Sequence, residues 1–221
     1  MRKVSYLIHH GKYWLLWDTG NGDKLAKFKD GVMKSGVNFS VKKTLKSQLA
    51  ELNLTPDDIK YVVLSHLHPD HAGNVSLFPN AEFIIAEKEL AWAFGTPTPE
   101  FIEPEMIAPL KKDNVRATID DVDVFGDGTV MVYRSPGHTP GHRFLFVKLP
   151  NYGNLLITGD LYHTNENYVD HTVDVGNYSR AEELASFGRF DRMQKNLKAK
   201  VIIQHSPEDF ARMPRFPKYL D

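Results

Sequence analysis

The chain has 221 residues, with 27 Lys and Arg against 28 Asp and Glu, a net charge of -1. That length fits one domain with a sizeable core, and the near-neutral balance argues against nucleic acid as a partner. With no cysteine, disulfides, thiolate nucleophiles and sulfur-ligated metals are excluded, so any metal must be held by imidazole and carboxylate.

No apolar run reaches membrane-spanning length, and no charged-then-apolar leader opens the sequence. The expectation is a soluble protein without membrane contact, cytoplasmic as written, or periplasmic or secreted where a leader has been removed. Residues 4–8 and 13–18 read as paired strands around His10-Gly11-Lys12, and Asp18-Thr19-Gly20 ends the pattern. Ser40 is a suitable N-cap for a helix carrying Val41, Leu45, Leu49 and Leu52 at helical spacing. Thr55-Pro56 offers a second cap with proline at the first helical position. Residues 61–64 are an uninterrupted apolar run, the mark of a buried strand.

Residues 82–86 predict a strand and 87–94 a short helix. The proline-rich stretch 95–113 lacks periodicity and is expected to be a surface excursion. Strand candidates follow at 122–124, 130–134, 144–147 and 155–158, separated by Gly, Pro and Asn signals. Leu184, Phe187, Phe190, Met193 and Leu197 fall three or four apart, which predicts one amphipathic helix. Residues 201–203 make a last strand. This mixture of strands and β-α alternation indicates a layered α/β domain over 1–221.

Chemistry concentrates in Ser65-His66-Leu67-His68-Pro69-Asp70-His71, where the 61–64 strand ends. His66 and His68, two residues apart, leave on one side and can share a cation, while Pro69 forces a turn that lets Asp70 and His71 serve a second. A lone histidine is more often a packing or surface residue than a ligand. Three imidazoles and a carboxylate at the mouth of an apolar strand have no packing rationale. Further ligand types follow later strands: His138 within Ser135-Pro136-Gly137-His138-Thr139-Pro140-Gly141-His142, Asp160 after 155–158, and His205 after 201–203.

This ordered set resembles the signature of the metallo-β-lactamase superfamily, and within it the N-acyl homoserine lactonase branch. Residues 65–74, 135–142, 159–168 and the ending 204–210 carry the likeness, together with Asp18-Thr19-Gly20. The resemblance implies a four-layer αβ/βα sandwich and two divalent metal ions, with zinc foremost and iron, cobalt or manganese also suited. It implies that His66, His68 and His138 hold one metal, that Asp70, His71 and His205 hold the other, and that Asp160 bridges them. It further implies a small-molecule lactone or ester substrate and a homodimer.

The chain departs from the pattern after Asp160. The lactonases it resembles often place a tyrosine three residues on, where this chain has His163, with Tyr162 one residue earlier. Either could stabilise a developing oxyanion, and Asp70 or Asp160 could pass the proton to the leaving alkoxide. His142 is expected to support the site rather than ligate, and Asp18 to orient a histidine. Trp92, Phe94 and Phe101 could line an acyl pocket or pack a core or lid. The rival readings are another ester or thioester hydrolase resembling glyoxalase II, and a non-catalytic metal-binding relative. A zinc β-lactamase is disfavoured because its main class uses a cysteine ligand.

Overall fold

A computed structural model describes residues 4–34, 36–112 and 114–221, so Asp113, the end of the expected surface excursion, lies outside the described residues. The chain divides into two compact units, the first from Lys3–Ile85 and Ala93–Arg116, the second from Ala86–Trp92 and Ala117–Asp221.

In the first unit, β1 (Tyr6–His10) and β2 (Tyr13–Trp17) form an antiparallel hairpin. Gly11 at φ 57° supplies the left-handed turn between them, a conformation costly for any residue with a Cβ. A small hairpin, β3 (Val32–Lys34) with β4 (Val37–Phe39), stands apart as its own two-stranded sheet. Helix α1 spans Leu45–Glu51, and its cap is Thr44, whose hydroxyl accepts from the Ser47 amide. Ser40 therefore does not cap it, and Val41 lies outside; of the predicted stripe only Leu49 is buried. Thr55-Pro56 does open a turn, a single 3-10 segment closed by a reciprocal bond with Asp58.

β5 (Ile59–Val63) then runs parallel to β2, followed by the one-turn helix α2 (Pro69–Ala72) and by β6 (Glu82–Ala86) parallel to β5. Val62, Val63, Ile84 and Ile85 are buried, as a central parallel sheet requires. α3 (Glu87–Ala93) follows β6 directly. The stretch after it is more than a surface excursion. It holds α4 (Pro104–Ile107) and a 3-10 turn, and it buries Ile102, Ile107 and Leu110. Proline spacing hid these three anchors. β7 (Val115–Thr118) completes the sheet order β1-β2-β5-β6-β7.

The second unit carries β8 (Val122–Asp123), β9 (Val130–Arg134), β10 (Arg143–Leu149), β11 (Gly153–Ile157) and β12 (Lys200–Ile202), in sheet order β12-β11-β10-β9-β8. Helices α5 (Asn165–Asp170), α6 (Arg180–Leu197) and α7 (Pro207–Arg212) accompany it. Phe187 and Phe190 of α6 are buried against Phe144, Leu156 and Ile203. Leu184, expected on that stripe, is instead exposed, and Glu183 takes the buried place beside it. Among the described residues no helix is long and apolar enough to cross a membrane.

Candidate metal centre

Each unit carries its own cluster of imidazoles and carboxylates. In the first, β5 ends at Val63, and the chain leaves the sheet through Ser65 into His66. His68 caps α2, Pro69 fills the first helical position, and the amides of His71 and Ala72 donate to the His68 carbonyl at 3.0 and 2.9 Å. That single turn folds His71 back towards His66, with ring centroids 4.1 Å apart, while His66 and His68 meet edge to face at 4.6 Å. The carboxylate of Asp70 lies 3.8 Å from His71 Nε2. The turn at Pro69 thus sets the His71 ring beside His66 with the Asp70 carboxylate near its Nε2.

Asp18 organises this turn. It sits in the left-handed region at φ 54°, and its buried carboxylate accepts from the Ser65 amide at 2.7 Å, the Ser65 hydroxyl at 2.9 Å and His71 Nδ1 at 2.7 Å. An ionised carboxylate only accepts, so the His71 ring proton sits on Nδ1 and its lone pair on Nε2. That is the arrangement of a metal-ligating histidine with an outer carboxylate partner. Thr19 and Asn74 tie the same segments together: Thr19 Oγ1 donates to the His71 carbonyl, and the Asn74 side chain donates to the carbonyls of Thr19 and Asn21. A Cβ on Gly73 would stand 2.3 Å from the Gly22 nitrogen, so only glycine permits this contact.

In the second unit, pairing places the cluster. β11 and β12 are parallel with Ile157 opposite Ile202, so the residues that follow them leave the sheet at the same end. β9 and β10 close at Arg134 opposite Arg143, and β10 runs antiparallel to β11, which puts the 135–142 loop at that end too. Asp160 is thereby ringed by imidazoles. Its Oδ2 lies 3.5 Å from His138 Nε2 and 3.3 Å from His163 Nε2, and its Oδ1 lies 2.8 Å from His205 Nε2. The ligand atoms of His138, Asp160 and His163 fall within 4.8 Å of one another. His163 and His205 stack at 5.9 Å with their planes 6° apart.

The outer partners here come from distant segments. His138 Nδ1 meets the Asn177 side-chain oxygen at 2.8 Å, which turns Nε2 towards Asp160. His142 is buried and supports rather than ligates: its Nε2 accepts from the Asp160 amide at 2.9 Å, and its Nδ1 lies 2.8 Å from the Ser135 hydroxyl. Glu183 is buried behind Gly137, and its Oε2 has no hydrogen-bond partner. Burial and then the nearby Asp160 charge push its carboxyl up to about 8, opposed by a bond from the His138 backbone.

The two residues after Leu161 part company. Tyr162 is fully buried, stacked on Phe187 at 4.7 Å and 11° and edge-on to Phe190 and Tyr168. Its hydroxyl has no partner, and burial raises its pKa. Tyr162 packs in the core; of the pair, His163 stands beside Asp160. Phe101, at φ 63° and half exposed, meets the His68 ring edge-on at 5.8 Å, and Trp92 packs against Tyr178. Asn177, Glu183 and Glu89 were not singled out by the sequence motifs. Glu183 was legible as a charge on the apolar face of α6; Asn177 carries no sequence signal beyond its turn.

The donor set fits divalent metals: imidazoles whose Nδ1 atoms face an oxygen partner, converging through Nε2 on a carboxylate, with no sulfur present. A model of the metallo-β-lactamase superfamily matches residues 2–205. An N-acyl homoserine lactonase AttM from Azorhizobium caulinodans is 33% identical, across 98% of this chain and 86% of its own length. AttM of Rhizobium radiobacter is 34% identical, across 78% and 67%. The crystal structure of a point mutant of Bacillus thuringiensis AiiA with N-decanoyl-L-homoserine bound at the active site superposes with a TM-score of 0.85 at 27% identity, covering 98% of this chain and 86% of that one.

Proposed function

Because the chain belongs to the metallo-β-lactamase superfamily and has its fold, we propose that it is a metal-dependent lactonase that opens the ester ring of N-acyl homoserine lactones, working as a single hydrolase domain over 1–221. The observation that carries this reading is the carboxylate of Asp160 set among His138, His163 and His205, in a chain whose relatives are named for that reaction. Two divalent cations, zinc by preference, would polarise the ester carbonyl and acidify a water near neutral pH.

By the family pattern, His66, His68 and His138 would hold one ion, Asp70, His71 and His205 would hold the other, and Asp160 would also be a ligand. His163, beside Asp160, would donate from its ring to the oxyanion that forms when the carbonyl is attacked. Asp160 or Asp70 would carry the proton to the ring oxygen as the ester bond breaks. Asp18 and Asn177 keep His71 and His138 in the tautomer whose Nε2 can ligate. Burial of His66 and His71 keeps competing water from those rings.

The test is hydrolysis of short- and long-chain acyl homoserine lactones followed by pH-stat, with metal content measured on the same sample. Rapid ring opening with about two metals per chain is the expected result. Two bound metals with turnover of a glutathione thioester but no lactone would move the substrate class. Protein that remains inactive after zinc or cobalt is restored would overturn the catalytic reading.

A further inference from the structure

Glu89 lies on α3, far from every ligand motif in sequence, and is fully buried. A buried carboxylate is costly unless its oxygens are satisfied. One of them, Oε2, accepts from the Thr139 hydroxyl at 2.7 Å and from the Gly141 amide at 3.0 Å. Both donors belong to the loop that carries His138 and ends at His142. The contact is also close: a Cβ on Gly141 would stand 2.5 Å from the Glu89 nitrogen and from its Cβ. The loop is therefore pressed onto α3 where it turns from β9 to β10.

The opposite side of the same loop is held by the start of α6. The amides of Tyr178 and Ser179 donate to the carbonyls of His138 and Gly137 at 3.1 and 2.9 Å, and Ser186 Oγ donates to the Pro136 carbonyl at 2.7 Å. Within the loop, the Thr139 carbonyl accepts from Gly137 and His142. Thr139 and Gly141 sit between His138, which faces Asp160, and His142, which holds the Asp160 amide. The separation of those two rings thus depends on where α3 holds the residues between them. The charge of Glu89 has a nearby complement in the buried guanidinium of Arg143, the first residue of β10.

We infer that Glu89 is a positioning residue for the metal site: through Thr139 and Gly141 it fixes the 135–142 loop so that His138 and Asp160 present their ligand atoms at the right separation. The inference rests on the assignment of His138 as a ligand, but not on the identity of the lactone.

The test uses the full chain loaded with cobalt, reading the visible ligand-field bands and the cobalt affinity by chelator competition, beside the melting temperature of the metal-free protein. His138→Ala is the reference for the ligand assignment; unchanged cobalt affinity there would overturn that assignment and the inference with it, whereas a loss there isolates the role of Glu89 in the variants that follow. Glu89→Ala is expected to weaken cobalt binding about 10- to 100-fold and to shift the bands. Glu89→Gln, whose amide oxygen can still accept from Thr139 and Gly141, should recover most of the loss. Thr139→Val removes one of the two bonds without emptying the buried position, so it remains readable if Glu89→Ala does not fold, and it should weaken cobalt about threefold or more. A folded Glu89→Ala protein, or Thr139→Val, with wild-type affinity and bands would overturn the inference. So would a lowered melting temperature with the cobalt spectrum unmoved, since that is the mark of a purely structural residue.

Discussion

In the first unit, four candidate ligands occupy six consecutive positions, and one strand end followed by one helical turn places them all. In the second, His138, Asp160 and His205 come from three separate strand ends that only the β9-β10-β11-β12 pairing brings together. The first cluster is thus a local structure steadied by a carboxylate from outside the motif, Asp18. The other depends on sheet register, where a slip of one residue would turn each ligand to the opposite face. Contiguity makes a motif conspicuous, whereas dispersal makes it dependent on the whole sheet.

The largest effects should come from the ligands themselves. Asp160→Ala and His68→Ala, one from each cluster, are each expected to reduce lactone turnover to the level of a protein-free control in the pH-stat assay. Retention of even a tenth of the rate by either variant would break the symmetry between the clusters.

Next come the outer partners. Asp18→Ala and Asn177→Ala should each weaken metal binding by about 10- to 100-fold, measured by chelator competition. Asp18 should cost more, because it accepts three hydrogen bonds in its turn while Asn177 meets the single Nδ1 of His138. A greater loss at Asn177 would show that the dispersed cluster is the more fragile of the two.

Smaller again is a pH effect confined to the second unit. The Glu183 carboxyl is raised from 4.5 to about 8 by burial, with Asp160 adding to it. The folded chain therefore holds that proton more tightly than the unfolded chain does. Its stabilising contribution is full below about pH 4.5 and is lost as pH rises towards about 8. For metal-free protein, the melting temperature should fall more steeply between about pH 5 and about pH 9 in the wild type than in Glu183→Gln. Parallel slopes would sink this account.

The smallest prediction concerns the start of α1. Thr44→Ala should cost about 1 kcal/mol in urea unfolding, the usual worth of a side-chain cap. Ser40→Ala should fall within about 0.5 kcal/mol of wild type.

That last pair shows where sequence reasoning stops. Ser40 and Thr44 are both good caps four residues apart, and Val41 at apparent helical spacing favoured the wrong one. β6 and β9 fell where their apolar runs put them, because a buried strand leaves few alternatives. The 65–71 motif was legible because its chemistry and spacing coincide in one short segment. Tyr162 and His163 were not separable, since both lie beyond the end of β11 at Ile157, where strand alternation no longer tells which side faces the core. Asn177 could not be found at all: it meets His138 across 39 positions, and no local pattern encodes that meeting. The buried Ile102, Ile107 and Leu110 were masked by the prolines around them.

His142 offers a use beyond support. A backbone amide can only donate, so the Asp160 N–H fixes the acceptor at Nε2 and the ring proton at Nδ1, beside the Ser135 oxygens. Sealed from solvent, that proton exchanges with water only when the loop opens. Its resonance in a nuclear magnetic resonance spectrum is therefore a resident clock for the second cluster, reporting how often the site breathes before any metal arrives and how far the arrival of metal slows it.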